Sequence, residues 1–468
     1  LGDNFQFGGG ASESAMHPVV LAITLAALVA ILFLRRNYAI AAVTVPVFLT
    51  SFGEQRVVGG LHLFVIRIII LGGMLRLAKA RSGVAFTALE KTFFVWAFFR
   101  GVTFILLFKQ MGAVTAQLAF WLDAYGGYML FRYAIRDKQG VIHALKVLSG
   151  VAAVLAVCMS FEFITRVNLF NYISSHSVTP WIRDGKVRAQ GTFANSITAG
   201  TFGATLFPLF VWLWRTNASR FWGAIGVVSA TGITVASVAS TAFSAYLGGI
   251  FALCMWPLRK QMREVRWGIV FATVVLAMVM KAPIWYLVAK VDFVGGHGWD
   301  RGYLIDQFAQ HWTNWWLLGT ADNASWGNDT WDACNQFVAE GLGGGLVSLV
   351  LFIMMLSRSF SMIGIARAGA EGNPQRTWFF WCFGAALFSH VIAFFGIDYF
   401  DNLRVWWFLF LALISAACAE PDVRAEPVRT AASRERWFVD ENSHTDAAEE
   451  VPVWVTHTSC ETPQTFGS

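Results

Sequence analysis

Charge is what this sequence has least of. Only 14% of its 468 residues are Asp, Glu, Lys or Arg, against 56% hydrophobic, and the mean hydropathy is +0.55. A water-soluble domain cannot bury that much apolar sequence, so a soluble enzyme or binding module is excluded. Cysteine is sparse too: Cys158, Cys254, Cys334, Cys382, Cys418 and Cys460, mostly in apolar runs, with no CxxC and no metal-ligand spacing. That argues against a disulfide framework and against a zinc site, and no metal or other cofactor is expected. The apolar runs do not alternate as barrel strands would, which leaves helices as the only way to satisfy the backbone in lipid. No internal repeat is evident. The net charge of +6 is modest; it reads as loop Lys and Arg of a membrane protein, not as a nucleic-acid surface.

What remains is an all-α polytopic membrane protein. Apolar runs fall at roughly 18–34, 38–52, 57–75, 92–108, 111–131, 144–164, 194–214, 221–239, 241–258, 267–281, 340–357, 377–396 and 403–419. At the ~20 residues that cross a bilayer, this predicts about 12–14 transmembrane helices. The first run reads as a span, not a cleaved signal. Residues 1–16 are expected to be a disordered N-terminus, 17–419 the membrane domain, and 420–468 a disordered cytoplasmic tail. Basic clusters recur in alternate connections: Arg35–Arg36, Arg76/Lys79/Arg81/Lys91, Arg132/Arg136/Lys138/Lys146, Arg215/Arg220, Arg259/Lys260/Arg263/Arg266 and Arg358/Arg367/Arg376. The positive-inside rule puts these in the cytoplasm and the other connections outside.

Two external loops stand out, 165–193 and 282–338. From Ala282 to Val338 the chain carries seven of its 21 tryptophans, and two basic residues against six aspartates. Aromatic faces beside carboxylates suit a sugar, although the same tryptophans would serve as headgroup anchors. Short amphipathic helices are expected there, one of them led by Arg301 with Tyr303, Leu304, Phe308 and Trp312 as its apolar members. The other loop breaks the positive-inside rule, with Arg166, Arg183, Lys186 and Arg188 against Asp184. Guanidinium groups clamp phosphate oxygens in a bidentate way, so a lipid-linked diphosphate would compensate for them. Anionic headgroups are the blander explanation. Within the spans, Arg67, Arg100, Asp123 and Glu162 are functional candidates by position, with an Arg100–Asp123 structural pair as the alternative. His62, His143 and His390 read as structural.

Three stretches together resemble the O-antigen ligase and polymerase superfamily. They are Arg188-Ala-Gln-Gly-Thr-Phe-Ala-Asn195, then Arg301-Gly-Tyr-Leu-Ile-Asp-Gln-Phe-Ala309 followed by Leu317-Leu-Gly319, and finally Asp332-Ala-Cys-Asn-Gln-Phe-Val-Ala-Glu-Gly341 leading into Leu342-Gly-Gly-Gly345. The resemblance implies a metal-independent glycosyltransferase of the GT-C type in the bacterial inner membrane, its active site facing the periplasm. Its donor would be an undecaprenyl-diphosphate-linked oligosaccharide and its acceptor a glycan or a lipid. Other polysaccharide-assembly proteins would be further partners. Arg188 and Arg301 carry over as the diphosphate-binding pair. Ligases of this kind place a histidine where this chain has Cys334, and many members open a later span with Ser-Arg-Gly where this chain has Ser240-Thr-Ala242. Both departures favour a polymerase-like member over a ligase. For the acceptor's proton, Asp332 is the candidate base. If 332–335 is helical, Asp332 shares a face with Asn335. Asp329, His311 and Asp306 are alternatives, and an N-cap role for Asp332 is the structural one. Arg183, Lys186, Gln190, His311 and Asn335 complete the expected binding residues. A transporter of lipid-linked sugars remains the rival, although the charged features cluster at one face and not at midplane.

Overall fold

The computed structural model describes residues 15–58, 61–79, 86–216, 219–287 and 298–419. The expectations for residues 1–14 and for the tail from 420 lie outside the described residues. The protein is an all-α polytopic membrane protein. Its helices are α1 (Pro18–Phe33), α2 (Arg36–Leu49), α3 (Val65–Lys79), α4 (Ala88–Phe108), α5 (Met111–Trp121), α6 (Gly127–Ala134), α7 (Lys138–Thr165), α8 (Ser196–Arg215), α9 (Arg220–Ser237), α10 (Ser240–Cys254), α11 (Met262–Val279), α12 (Gly298–Gln310), α13 (Trp312–Trp315), α14 (Gln336–Gly369), α15 (Pro374–Phe394) and α16 (Asp401–Cys418). Among the described residues, α4, α7, α8, α14, α15 and α16 are long and apolar enough to cross a membrane, and α1, α10 and residues Tyr38–Leu49 of α2 are shorter apolar helices.

Two of the expected runs differ in detail. The run at 57–75 begins as a hairpin, β1 (Gln55–Val58) against β2 (Leu61–Phe64), with Gln55 opposite Phe64 and Val58 opposite Leu61. In the sequence, Gly59-Gly60 between two short runs of β-formers is a hairpin signal. The run at 111–131 joins α5 to α6 through one π-helical turn, Leu122–Gly126. That turn carries Asp123, an ionisable residue inside the run.

The core is built on α8 and α16, whose buried residues run along nearly their whole length. Small residues permit this. A Cβ on Gly203 would lie 2.8 Å from the Ala230 carbonyl oxygen on α9, so α8 and α9 approach backbone to backbone. Trp406 on α16 donates its indole N–H to Thr205 Oγ1 on α8 at 2.9 Å, satisfying two polar groups in the apolar interior.

The expected Arg100–Asp123 pair is not formed. Asp123 belongs to Arg67, at 3.0 Å, and Arg100 approaches Glu340 at 3.8 Å. Asp123 sits on the π-turn opposite α3, whereas Arg100 on α4 faces α14; sequence proximity in neighbouring helices did not decide the partner. Glu162 is likewise a structural group, as described below. His62 shares a hydrogen bond with Gln55, and His390 one with Tyr399.

The hairpin, the 166–195 connection, the 298–335 segment and the 395–400 turn all gather at the same end of the bundle. Among the described residues, the basic clusters occupy the opposite end, where Arg36 lies 3.9 Å from Asp137 and Arg367 donates to the Arg259 carbonyl.

Candidate functional site

Arg188 closes β4 (Lys186–Arg188), which pairs with β3 (Trp181–Arg183) so that Trp181 faces Arg188 and Arg183 faces Lys186. Asp184 and Gly185 turn the hairpin at φ 50° and 74°, the conformation for which Asp-Gly is selected. Beyond Arg188 the chain is held at nearly every residue. The Ala189 N–H reaches the Ala236 carbonyl at 3.0 Å. Glu162, fully buried, accepts the N–H groups of Gln190 at 3.3 Å and Gly191 at 2.9 Å. Asn168 donates to the Gly191 carbonyl at 2.8 Å. Gly191 itself has φ +58°, and a Cβ there would stand 3.0 Å from Met159. Thr192 bonds the Phe48 carbonyl, Phe193 packs on Phe202, and Asn195 caps α8 through the Thr198 N–H. The stretch after Arg188 is therefore a fixed turn that aims the arginine.

Arg301 lies near the start of α12. Leu304 and Phe308 bury the inner face of that helix, as expected, but Trp312 is 57% exposed and does not rest on the bundle. The Phe308 ring stacks on Trp315 at 3.9 Å, and Trp315 donates to the Phe308 carbonyl at 2.7 Å. This stack fits against Gly341, whose Cβ would meet Phe308 at 2.3 Å.

The Leu-Leu-Gly turn has a specific partner. Helix α14 is broken at Gly345, with φ 66° and ψ −169°. The break frees backbone groups that a continuous helix would pair internally. Thr320 donates to the Leu342 carbonyl at 2.9 Å, and the Leu346 N–H reaches the Trp316 carbonyl at 2.8 Å. A Cβ on Gly319 would lie 2.1 Å from the Leu342 oxygen, and one on Gly345 2.5 Å from the Leu317 oxygen. The glycines of both motifs thus dock the loop onto the broken helix, which fixes α12 and Arg301 relative to α14.

These two constructions bring Arg188 and Arg301 into one neighbourhood. Burial, then the positive charges of Arg183 and Arg301, pull the Arg188 guanidinium below the ordinary arginine range. Arg188 Nε is buried and has no hydrogen-bond partner among the described residues. Lys186 is exposed on the same hairpin. Three guanidinium groups drawn together at a half-buried surface favour an anion with several oxygens.

The carboxylates lie beside them. Asp332 is exposed and accepts the Cys334 thiol at 3.0 Å. Burial and Asp332 together push that thiol up. Residues 332–335 are not helical, so Asp332 and Asn335 do not share a helical face, and Asp332 is not the cap. Asn335 is: it is buried, and its Oδ1 accepts from Phe337 at 2.9 Å and Val338 at 3.2 Å. Its amide also points to the Phe395 carbonyl, at 3.4 Å. Gln190 is buried, its amide turned toward the Phe193 carbonyl at 3.5 Å. His311 stacks on Trp326 at 5.0 Å, and its Nδ1 lies 2.9 Å from the Gln307 carbonyl. Asn335 and Gln190 are thus supports of the site. Arg188, Arg301, Arg183 and Asp332 are the groups in a position to meet a substrate.

One residue escaped the sequence reading. Asp398 sits in the turn between α15 and α16. That turn is tied to α14, because Tyr399 donates its N–H to Gln336 Oε1 at 2.6 Å. Burial first, and then the charge of Asp332, push the Asp398 carboxyl up to about 7, against the opposing pull of Arg100. A carboxyl balanced near neutrality can take or give a proton at ordinary pH. The signal was present as Asp398-Tyr-Phe-Asp401, two aspartates in a short link between apolar runs.

Among the described residues no group of three His, Cys, Asp or Glu side chains could hold a metal ion. A cleft lined by Arg36, Asp137, His143 and Lys146 opens at the opposite end of the bundle and has no part in this site. No protein-family model matches the chain, and no curated protein matches it.

Proposed function

We propose that the protein is a polymerase-like glycosyltransferase that moves an undecaprenyl-diphosphate-linked oligosaccharide onto an acceptor sugar, at the periplasmic face of a bacterial inner membrane. The observation that carries this reading is the meeting of Arg188, Arg183 and Arg301, from two distant segments, with Asp332 and Asp398 close by. In this reaction an acceptor hydroxyl attacks the anomeric carbon, the bond from that carbon to the diphosphate oxygen breaks, and the diphosphate leaves with both electrons. Arg188 and Arg301 stabilise the charge that develops on the leaving group. Asp398 takes the hydroxyl proton, with Asp332 as the neighbouring carboxylate that keeps its affinity for protons high. The resemblance of the three motifs to the O-antigen ligase and polymerase superfamily supports the same chemistry. Cys334, in the place of a ligase histidine, favours the polymerase over the ligase; its thiol is held by Asp332. The exposed Trp299, Trp312, Trp316 and Trp331 offer faces for sugar rings around this end of the bundle.

The test is reconstitution of the purified protein with undecaprenyl-diphosphate oligosaccharide. A ladder of lengthened products is expected. A single discrete transfer to a lipid acceptor would make the protein a ligase, and movement of the substrate without covalent change would make it a transporter.

A further inference from the structure

A second group of arginines includes Arg100, whose charge acts on Asp398. Arg67 is in the first turn of α3, Arg100 on α4 and Arg404 near the start of α16. Asp123 and Glu340 are the carboxylates within 4 Å of these guanidinium groups among the described residues. Both are already occupied. Asp123 takes three hydrogen bonds from Arg67, at 3.1, 3.3 and 3.0 Å. Glu340, fully buried, accepts from Trp96 at 2.9 Å, Ser348 at 2.7 Å and Gln336 at 2.7 Å.

Arg100 and Arg404 are left at arm's length. Each stops 3.8 Å from its carboxylate, and neither guanidinium donates a hydrogen bond to a described residue. Both stand over one ring, Phe120, at 5.8 and 5.5 Å. Arg404 lies in the field of Arg100 and Arg67 as well as of Asp123 and Asp401. Gly343 makes room for the arrangement, since a Cβ there would lie 2.6 Å from Arg100 Nη1. Their side chains are not wholly covered by the protein's own packing, being 24% and 28% exposed. Two forks of donors stand over one aromatic face, with Asp123 and Glu340 serving other groups and Asp401 as the remaining carboxylate in the field of Arg404, so N–H groups outnumber the free acceptors. Phosphate oxygens match that deficit.

We infer that Arg100 and Arg404, with Phe120 beneath them, form a second anion site that binds the phosphate group of the acceptor substrate. This deepens the transfer reading and rests on it for the identity of the acceptor. The Arg188 and Arg301 group then holds the donor diphosphate, and Asp398 feels Arg100 of the second group as well as Asp332. An acceptor that is itself a lipid-linked diphosphate would be seated by the same chemistry as the donor.

Farnesyl diphosphate titrated into the purified full-length protein in uncharged detergent reads the two sites by stoichiometry. Two equivalents per chain are expected for the wild type and one for Arg100→Gln or Arg404→Gln. Arg404→Lys keeps the charge but loses the fork, so it guards against misfolding of the neutral variants. It should bind the second equivalent about tenfold more weakly or worse. One equivalent in the wild type, two in Arg404→Gln, or near-normal affinity in Arg404→Lys would overturn the inference. So would displacement of the second equivalent by phosphatidylglycerol as readily as by unlabelled farnesyl diphosphate, which would make this a headgroup site. The donor reading fails separately: two equivalents retained in Arg188→Ala would sink that reading while leaving the Arg404 result intact.

Discussion

Glu162 accepts the backbone N–H of Gly191 at 2.9 Å, and with that bond a carboxylate near the end of α7 fixes the turn that presents Arg188. The same carboxylate takes the Gln190 N–H at 3.3 Å. Both donors are buried, so neither has water as a ready substitute. Glu162→Ala should cost about 1–3 kcal/mol of stability, the penalty for leaving buried donors unmet. It should also weaken diphosphate binding at Arg188, although Glu162 touches no ligand. Hydrogen exchange at Gln190 and Gly191 checks the first effect and farnesyl diphosphate titration the second. Unchanged exchange at both amides would show that the turn stands without Glu162.

The helix break offers a sharper test. Gly345 holds φ 66° and ψ −169°, a region essentially closed to other residues. Gly319 holds φ +93°, and its Cβ would collide with the Leu342 carbonyl oxygen. Gly345→Ala should cost about 1–3 kcal/mol in backbone strain alone, and the collision adds to it. Gly364, on the same helix, has no atom within 4 Å of where its Cβ would be. Gly364→Ala should therefore be neutral or mildly stabilising. Thermal unfolding of the two variants side by side decides the matter, and equal melting temperatures would sink the docking account.

The membrane class was legible from composition, and the segments that carry Arg188 and Arg301 stood out by charge placement and three short motifs. Those signals are local or compositional. The hairpin at 55–64 was signalled by Gly59-Gly60 but masked by the apolar run around it, where hydropathy outweighed turn chemistry. The partner of Asp123 was not legible, because Arg67 and Arg100 are equally plausible in sequence and only the rotation of α3 and α4 chooses between them. The break at Gly345 was foreshadowed by its run of glycines, yet helix packing would produce the same run. Asp398 was missed for a related reason. Asp401 is close in sequence, but the stronger influences, burial and the charge of Asp332, come from distant parts of the chain.

Asp398 ties the site to pH. Its carboxyl sits at about 7 in the folded chain, against an ordinary 3.8. The folded state thus keeps a proton that the unfolded state releases, and stability falls as pH rises from about 4 through 7. Asp398→Asn is neutral at every pH, so its gain in melting temperature over the wild type should be larger at pH 8 than at pH 5. If Asp398 is the base, the wild-type transfer rate should rise with pH around a midpoint near 7, and Asp398→Asn should lose about 10²–10⁴-fold of that rate. Gains of equal size at the two pH values would show that the carboxyl is already ionised well below neutrality.

Arg188 and Arg301 carry the last prediction. They lie far apart in sequence, and their segments are fixed by separate devices: the Glu162 turn for one and the Gly319–Leu342 docking for the other. Both nevertheless bear on the same place, where the charge of Arg301 helps depress Arg188. A diphosphate matches two such groups, and it asks for planar forks, not for charge alone. Arg301→Lys should therefore remove most of the activity, since a point charge does not reproduce bidentate geometry. Arg188→Ala and Arg301→Ala should each abolish product without lowering the amount of folded protein. The double variant should be no worse than either single one, because residues that act on one leaving group as a unit are not additive. A merely structural surface arginine would tolerate Lys, as exposed ion pairs contribute only about 0–1 kcal/mol. Product ladders from reconstituted variants, normalised to folded protein, make the comparison. Near-normal ladders from Arg301→Lys or Arg188→Ala would separate the two arginines from the chemistry and leave transport of the lipid-linked sugar as the better reading.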